Sequence, residues 1–162
     1  MKIISYNVNG IRAAFTKDFL GWLNAASPDI ICIQESKAGN DQIDIESFEK
    51  LGYHSYWNSA VRKGYSGVGI ASKIPPKNIH YGCGIEQGRI LRADFEDFSV
   101  ISVYVPSASN IERLGFKLEF CHDFLHYVKT LQKEIPNLII SGDFNICHQP
   151  IDIHNPIGLK NT

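Results

Sequence analysis

The sequence predicts an α/β domain built on mixed β-sheets. Short apolar runs of strand length alternate with stretches of helical periodicity, as an α/β architecture requires. Two adjacent runs are separated by a short polar turn, the signature of an antiparallel hairpin. Of the 162 residues, 44% are hydrophobic, enough to bury one sizeable core.

Strands are expected at 2–6, 30–34, 53–57, 67–72, 90–95, 100–105 and 138–141. The runs 90–95 and 100–105, joined through Glu96-Asp97, form the hairpin, so the sheets should be mixed rather than purely parallel. A helix is expected over 15–25, where Phe15, Phe19, Leu20, Trp22 and Leu23 share a broad face. It stops before Ser27-Pro28, because proline disfavours helix in the residue before it. A shorter helix over 42–51 ends at Gly52, a C-cap residue. The longest, over 111–133, carries Leu114, Leu118, Cys121, Leu125 and Val128 at three- and four-residue spacing as its apolar stripe. Pro75-Pro76 marks a turn between strands, and no repeat, low-complexity tract or linker interrupts the chain. Residues 142–162, rich in Pro, Asn, His and Asp, show no periodicity and read as a loop or as a lead into further elements.

Lys and Arg number 16 against 17 Asp and Glu, for a net charge of −1, so a nucleic-acid partner would need a local basic patch. The four cysteines are widely spaced and form no C-x-x-C pair, which argues against a disulfide framework or a zinc knuckle and for a reducing, cytoplasmic setting. No apolar stretch approaches the ~20 residues of a membrane span, so no membrane partner is expected.

The informative polar residues stand where apolar strands stop. Ile3-Ile4-Ser5-Tyr6 runs into Asn7-Val8-Asn9-Gly10, and Ile30-Ile31-Cys32-Ile33-Gln34 into Glu35-Ser36-Lys37. The run through Val103 leads to Tyr104-Val105-Pro106-Ser107, and Leu138-Ile139-Ile140-Ser141-Gly142 to Asp143-Phe144-Asn145. In α/β folds such strand ends line the ligand crevice. Two carboxylates, carboxamides and a phenol on one rim would suit a hard cation such as Mg²⁺ or Mn²⁺. A metal there can polarise a phosphoryl oxygen while a separate carboxylate orients an attacking water. Asp and Asn after a strand are also ordinary turn residues, and a tyrosine such as Tyr104, taken alone, is more often a half-buried strand aromatic than a catalytic group. Pattern by itself leaves both readings open.

Six segments then stand together in one order: Ser5-Tyr6-Asn7-Val8-Asn9-Gly10-Ile11-Arg12-Ala13, Ile33-Gln34-Glu35-Ser36-Lys37, Gly64-Tyr65-Ser66-Gly67-Val68-Gly69, Gln87-Gly88-Arg89, Val103-Tyr104-Val105-Pro106-Ser107 and Ser141-Gly142-Asp143-Phe144-Asn145. In these segments the chain resembles the exonuclease III family of apurinic/apyrimidinic endonucleases, within the endonuclease/exonuclease/phosphatase superfamily. The resemblance implies a four-layer α/β sandwich with two mixed β-sheets, deoxyribonuclease I-like and incomplete at the C-terminus. Residues 1–162 would form a single domain, truncated to the family's amino-terminal portion. It implies Glu35 as principal metal ligand with Asn7 beside it, Asp143 activating water, and Asn145 holding the phosphate or a metal. Tyr104 would hydrogen-bond the scissile phosphate. Asn9, Arg12, Lys63, Tyr65, Arg89 and Ser107 would contact DNA, which phosphate contacts position without reading sequence. Asn9 stands where some relatives have Asp, and Ser107 where others have Asn or Gln.

The implied cofactor is Mg²⁺, with Mn²⁺ as substitute, and the implied partner double-stranded DNA with abasic sites. The intact enzyme would be monomeric. The family's continuation, which supplies an Asp-His pair, a further aspartate and an aromatic pocket, has no match here. His122 and His126 read as a solvated or packed helix face, and His148 and His154 as loop residues. Two alternatives stand beside a DNA repair nuclease: another phosphatase or phosphodiesterase of the superfamily, and an inactive fragment that self-associates through exposed sheet edges.

Overall fold

A computed structural model describes residues 1–84, 87–108, 111–153 and 155. Eight strands and four α-helices follow one another as β1 (Ile3–Asn7), α1 (Ile11–Phe15), α2 (Phe19–Ala26), β2 (Ile30–Gln34), α3 (Ile45–Lys50), β3 (His54–Asn58), β4 (Val68–Ser72), β5 (Asn78–Tyr81), β6 (Ile90–Asp94), β7 (Ser99–Tyr104), α4 (Ile111–Leu131) and β8 (Leu138–Asp143). They make two four-stranded sheets, in the orders β1-β2-β4-β3 and β5-β6-β7-β8. Both are mixed: β1 runs parallel to β2 and β7 parallel to β8, while the remaining pairs are antiparallel.

The period of two along β2 explains the layering. Ile30 and Cys32 face the other sheet, where they meet Leu91, Ala93 and Val100. Ile31 and Ile33 point the opposite way, to Ile11, Phe19, Leu23 and Phe48 from α1, α2 and α3. On the far side Ile90, Ile101 and Val103 meet Phe120, Phe124 and Leu131 of α4. The layers are therefore helices, sheet, sheet and helix, the four-layer sandwich that the resemblance implies.

Three expectations need correction. The helix expected over 15–25 is two helices, α1 and α2, broken at 16–18 where Asp18 adopts φ 61°. Trp22, assigned to its apolar face, is 38% exposed. Strand β5 was not foreseen, because at four residues, Asn78-Ile79-His80-Tyr81, it is a mostly exposed edge strand too short for its alternation to stand out. On α4 the buried stripe is Phe120, Phe124 and Leu131, whereas Leu118 and Leu125 are 62% and 52% exposed. Two apolar stripes interlace on this helix, and the one with more aromatic area to bury faces the sheet. No described helix is long and apolar enough to cross a membrane.

Candidate active site

The two parallel pairs carry four strand ends to one place. In register, Asn7 lies beside Gln34 and Tyr104 beside Asp143. The amide of Asn7 joins the two sheets there. Its Nδ2 donates to Glu35 Oε1 at 2.9 Å and to Asp143 Oδ2 at 2.8 Å, and its Oδ1 accepts the Asn9 N–H at 3.0 Å. Glu35 Oε2 lies 2.7 Å from Lys37 Nζ, and the Tyr104 phenol donates to the same carboxylate. Burial works to raise the Glu35 pKa. The hydrogen bonds from Asn7, Lys37 and Tyr104, with the Lys37 charge, outweigh it and hold the carboxyl below its ordinary value. Tyr104 is pushed up to about 12 by burial and then by its bond to the Glu35 carboxylate, so at neutral pH it is a donor and not a base.

Asp143 is fixed from behind. Its Oδ1 accepts the Asn145 N–H at 2.9 Å, and its carbonyl accepts the Val105 N–H at 2.9 Å. Asn145 Nδ2 donates to Val105 O at 2.9 Å, and its carbonyl accepts from Lys117 of α4. Gly142 before them is packed so that a Cβ would fall 1.9 Å from Val103 O, which excludes any side chain. Ser107 is half-buried and lines a cleft of about 650 Å³ with Asp143, Asn145 and Lys117.

Backbone strain gathers around this cluster. Asn9, Glu35, Lys37, Ser66 and Asn145 all adopt left-handed φ between 48° and 55°. For residues with a Cβ this costs on the order of 1–2 kcal/mol each and persists only where the surroundings dictate it. They do: Gly10 N–H donates to Glu35 O at 2.7 Å and Ile11 N–H to Ser36 O at 2.9 Å. From the other side, Ser36 N–H donates to Gly67 O at 3.0 Å and Lys37 N–H to Ser66 O at 2.9 Å. Gly67 is required because a Cβ there would sit 2.0 Å from Ser36 Oγ. Segments 5–13, 33–37 and 64–69 are thus one hydrogen-bonded unit.

The residues assigned to DNA contact divide. Arg12 and Lys63 are exposed, on α1 and on the loop between β3 and β4. Asn9 is exposed beside the cluster, with its Oδ1 2.5 Å from Lys37 Nζ. Arg89 is not at the surface. It is 1% exposed, donates to Tyr104 O at 3.1 Å and to Tyr65 OH at 2.6 Å, and lies 4.9–5.9 Å from the rings of Tyr65, Tyr104 and Phe116. It holds Tyr104 and Tyr65 in place rather than offering itself to a phosphate. Tyr65 shares its hydroxyl with Arg89 and Arg113, and Arg62 stacks over its ring at 5.3 Å. Two residues that the structure brings to the cluster went unassigned in the sequence: Lys37, beside Glu35, and Lys117, which donates to the Asn145 carbonyl. His122 and His126 lie on the exposed side of α4, His148 is exposed, and His154 lies outside the described residues.

The groups that could ligate are oxygens: two carboxylates and the carboxamide oxygens of Asn7 and Asn145, although Asn7 turns its Nδ2 to both carboxylates. Among the described residues no cluster of three His, Cys, Asp or Glu exists. Oxygen donors of this kind suit a hard cation, which keeps water and needs only one or two carboxylates.

The chain is similar to known proteins in sequence and in fold. The chain is 41% identical to the exodeoxyribonuclease of Bacillus subtilis (strain 168), covering 100% of this chain and 65% of that protein. It is 39% identical to the DNA repair nuclease APEX1 of Danio rerio, covering 98% of this chain and 53% of that protein. The structure of an AP endonuclease from Archaeoglobus fulgidus superposes with a TM-score of 0.86 at 34% identity, covering 99% of this chain and 63% of that one. The chain therefore spans less than two thirds of the length of these relatives. The family model described as Endonuclease/Exonuclease/phosphatase family matches residues 4–161, nearly the whole chain and all four strand ends, and the chain belongs to that family.

Proposed function

We propose that this chain carries the hydrolytic site of an exonuclease III-type DNA repair nuclease, which cleaves the DNA backbone at abasic sites and trims 3′ ends. The observation that carries the reading is the Asn7 amide bridging Glu35 and Asp143 at 2.9 and 2.8 Å. It sets an oxygen donor cluster and a separate carboxylate side by side, at the edge of a cleft large enough for a backbone phosphate. The relatives named for exodeoxyribonuclease and DNA repair activity support the choice of DNA over other phosphodiesters.

In this reading Glu35 and Asn7 would hold Mg²⁺ or Mn²⁺, with Asp143 and Asn145 at its border. Bound there, such an ion supplies Lewis acidity toward a phosphoryl oxygen and stabilises the leaving alkoxide. Asp143, immobilised by Asn7 and by the Asn145 N–H, orients the attacking water and accepts its proton. Tyr104, neutral and held by Arg89, donates its hydroxyl to a non-bridging oxygen as negative charge grows there. Arg12, Lys63 and Tyr65 line the approach of the duplex backbone.

The test is nicking of a duplex bearing one abasic site, with and without Mg²⁺. The expected result is metal-dependent cleavage that Glu35→Ala and Asp143→Asn each abolish. Metal-independent cleavage, or cleavage untouched by these substitutions, refutes the assignment. Duplex binding without any turnover would favour a non-catalytic chain.

A further inference from the structure

We propose that Lys37 is the resident counter-cation of the candidate metal site, and that a divalent ion binds Glu35 by displacing its ammonium. The inference rests on the metal-site reading above and concerns how the site loads.

Glu35 is served by three protein donors: Asn7, Lys37 and Tyr104. The Asn7 side chain cannot leave, because its amide nitrogen also holds Asp143 and its oxygen holds the Asn9 N–H; it can offer an ion only the second lone pair of Oδ1. The Tyr104 ring cannot leave either, since it ends a paired strand and lies under the Arg89 guanidinium at 4.9 Å; its one O–H can only turn in place, toward Glu35 or toward substrate. Lys37 differs in kind. Its ammonium sits on a flexible four-carbon stem, and the side chain is 36% exposed. A second cation at Glu35 repels this one, and only the lysine has somewhere to go.

The backbone keeps that motion short. Lys37 is locked at φ 50° by its N–H bond to Ser66 O, so the stem always starts at the same point beside the carboxylate. Asn9 Oδ1, 2.5 Å from Nζ, offers the ammonium a second partner that displacement from Glu35 need not break. The device keeps Glu35 aimed before the metal arrives. Its cost is that the metal competes with a built-in cation.

Binding of Mn²⁺ to the full chain, counted by the electron paramagnetic resonance of the free ion and without DNA, tests this. Lys37→Met should bind Mn²⁺ about fivefold more tightly than the unsubstituted chain, the effect of removing a partly exposed ion pair, while Lys37→Arg should not gain. In the unsubstituted chain, saturating Mg²⁺ should speed reductive methylation of the Lys37 amine, a readout that needs no variant to fold. Equal or weaker Mn²⁺ binding by Lys37→Met, or methylation unaffected by Mg²⁺, overturns the displacement and leaves the metal site standing. No ion binding by any form overturns the metal-site reading and this inference with it.

Discussion

The side-chain amide of Asn7 donates to the carboxylate of Asp143 at 2.8 Å, across 136 positions of sequence and from one sheet to the other. Because the same nitrogen also serves Glu35, one carboxamide sets the spacing of both acidic groups. Asn7→Ala should therefore do two things at once. Loss of one partly buried hydrogen-bonding hub should cost about 1–3 kcal/mol in urea denaturation, and nicking should fall about 100-fold or more through lost orientation. Asn7→Asp puts a third carboxylate on the cluster. It should lower the melting temperature in chelator and respond to Mg²⁺ with a larger upward shift than the unsubstituted chain. A melting temperature indifferent to Mg²⁺ in Asn7→Asp would refute the picture.

Gly142 makes the same argument from the backbone. A Cβ there would meet the Val103 carbonyl at 1.9 Å, and a carbonyl in a paired strand cannot step aside. Gly142→Ala should cost about 1–3 kcal/mol of stability, as overpacking does. It should also cost disproportionate activity, since Asp143 is the next residue. The control is Gly115→Ala on α4, where nothing lies within 4 Å of the added methyl and stability should be unchanged or slightly higher.

Tyr104 gives a pH signature. Its phenol ordinarily titrates near 10.0, and here burial and the Glu35 carboxylate raise it to about 12. The fold thus prefers the protonated form. The stabilisation is complete below pH 10 and is lost as pH rises through about 12. Burial also raises Tyr53 and Tyr127, so phenolate absorbance should show a late-ionising group of tyrosines, and Tyr104→Phe should remove its share of that late step. A Tyr104→Phe chain with an unchanged alkaline titration would place the raised group elsewhere.

The strand ends were legible in the sequence for a physical reason. Asn7, Glu35, Tyr104 and Asp143 each follow an apolar run, and parallel pairing sends such ends to the same rim. What escaped notice depends on tertiary packing. The charge of Arg89 marks it as a surface residue by type, yet three aromatic rings from distant segments enclose it. Lys37 stands in the 33–37 segment without an assigned role and acquires one only when left-handed turns at 35 and 37 fold its ammonium onto Glu35. The break between α1 and α2 turns on one positive φ at Asp18, invisible to periodicity.

Arg89 and the exposed cations should separate cleanly in experiment. Arg89→Ala removes the contacts to Tyr104 O and Tyr65 OH and empties a packed aromatic site, so it should cost about 2–5 kcal/mol of stability. Arg12→Ala and Lys63→Ala should leave stability within about 0.5 kcal/mol. Each should instead weaken duplex binding uniformly across sequences and reduce the slope of log affinity against log salt by about one. If Arg89→Ala keeps full stability and lowers the salt slope instead, Arg89 is a phosphate contact after all.

Helix α4 offers a direct contest between periodicity and packing. The leucines at 114, 118 and 125 follow helical spacing as regularly as the aromatics at 120 and 124, so the pattern alone does not choose a buried face. Area chooses it: Phe120 is 1% exposed and Phe124 9%, against Ile90, Ile101 and Val103 of the neighbouring sheet. Phe120→Ala should therefore cost about 3–5 kcal/mol. Leu118→Lys, at a position 62% exposed, should change stability by no more than about 0.5 kcal/mol. Denaturant midpoints with equal slopes for the two variants would settle which stripe bears on the sheet, and a larger loss for Leu118→Lys than for Phe120→Ala would reverse the assignment.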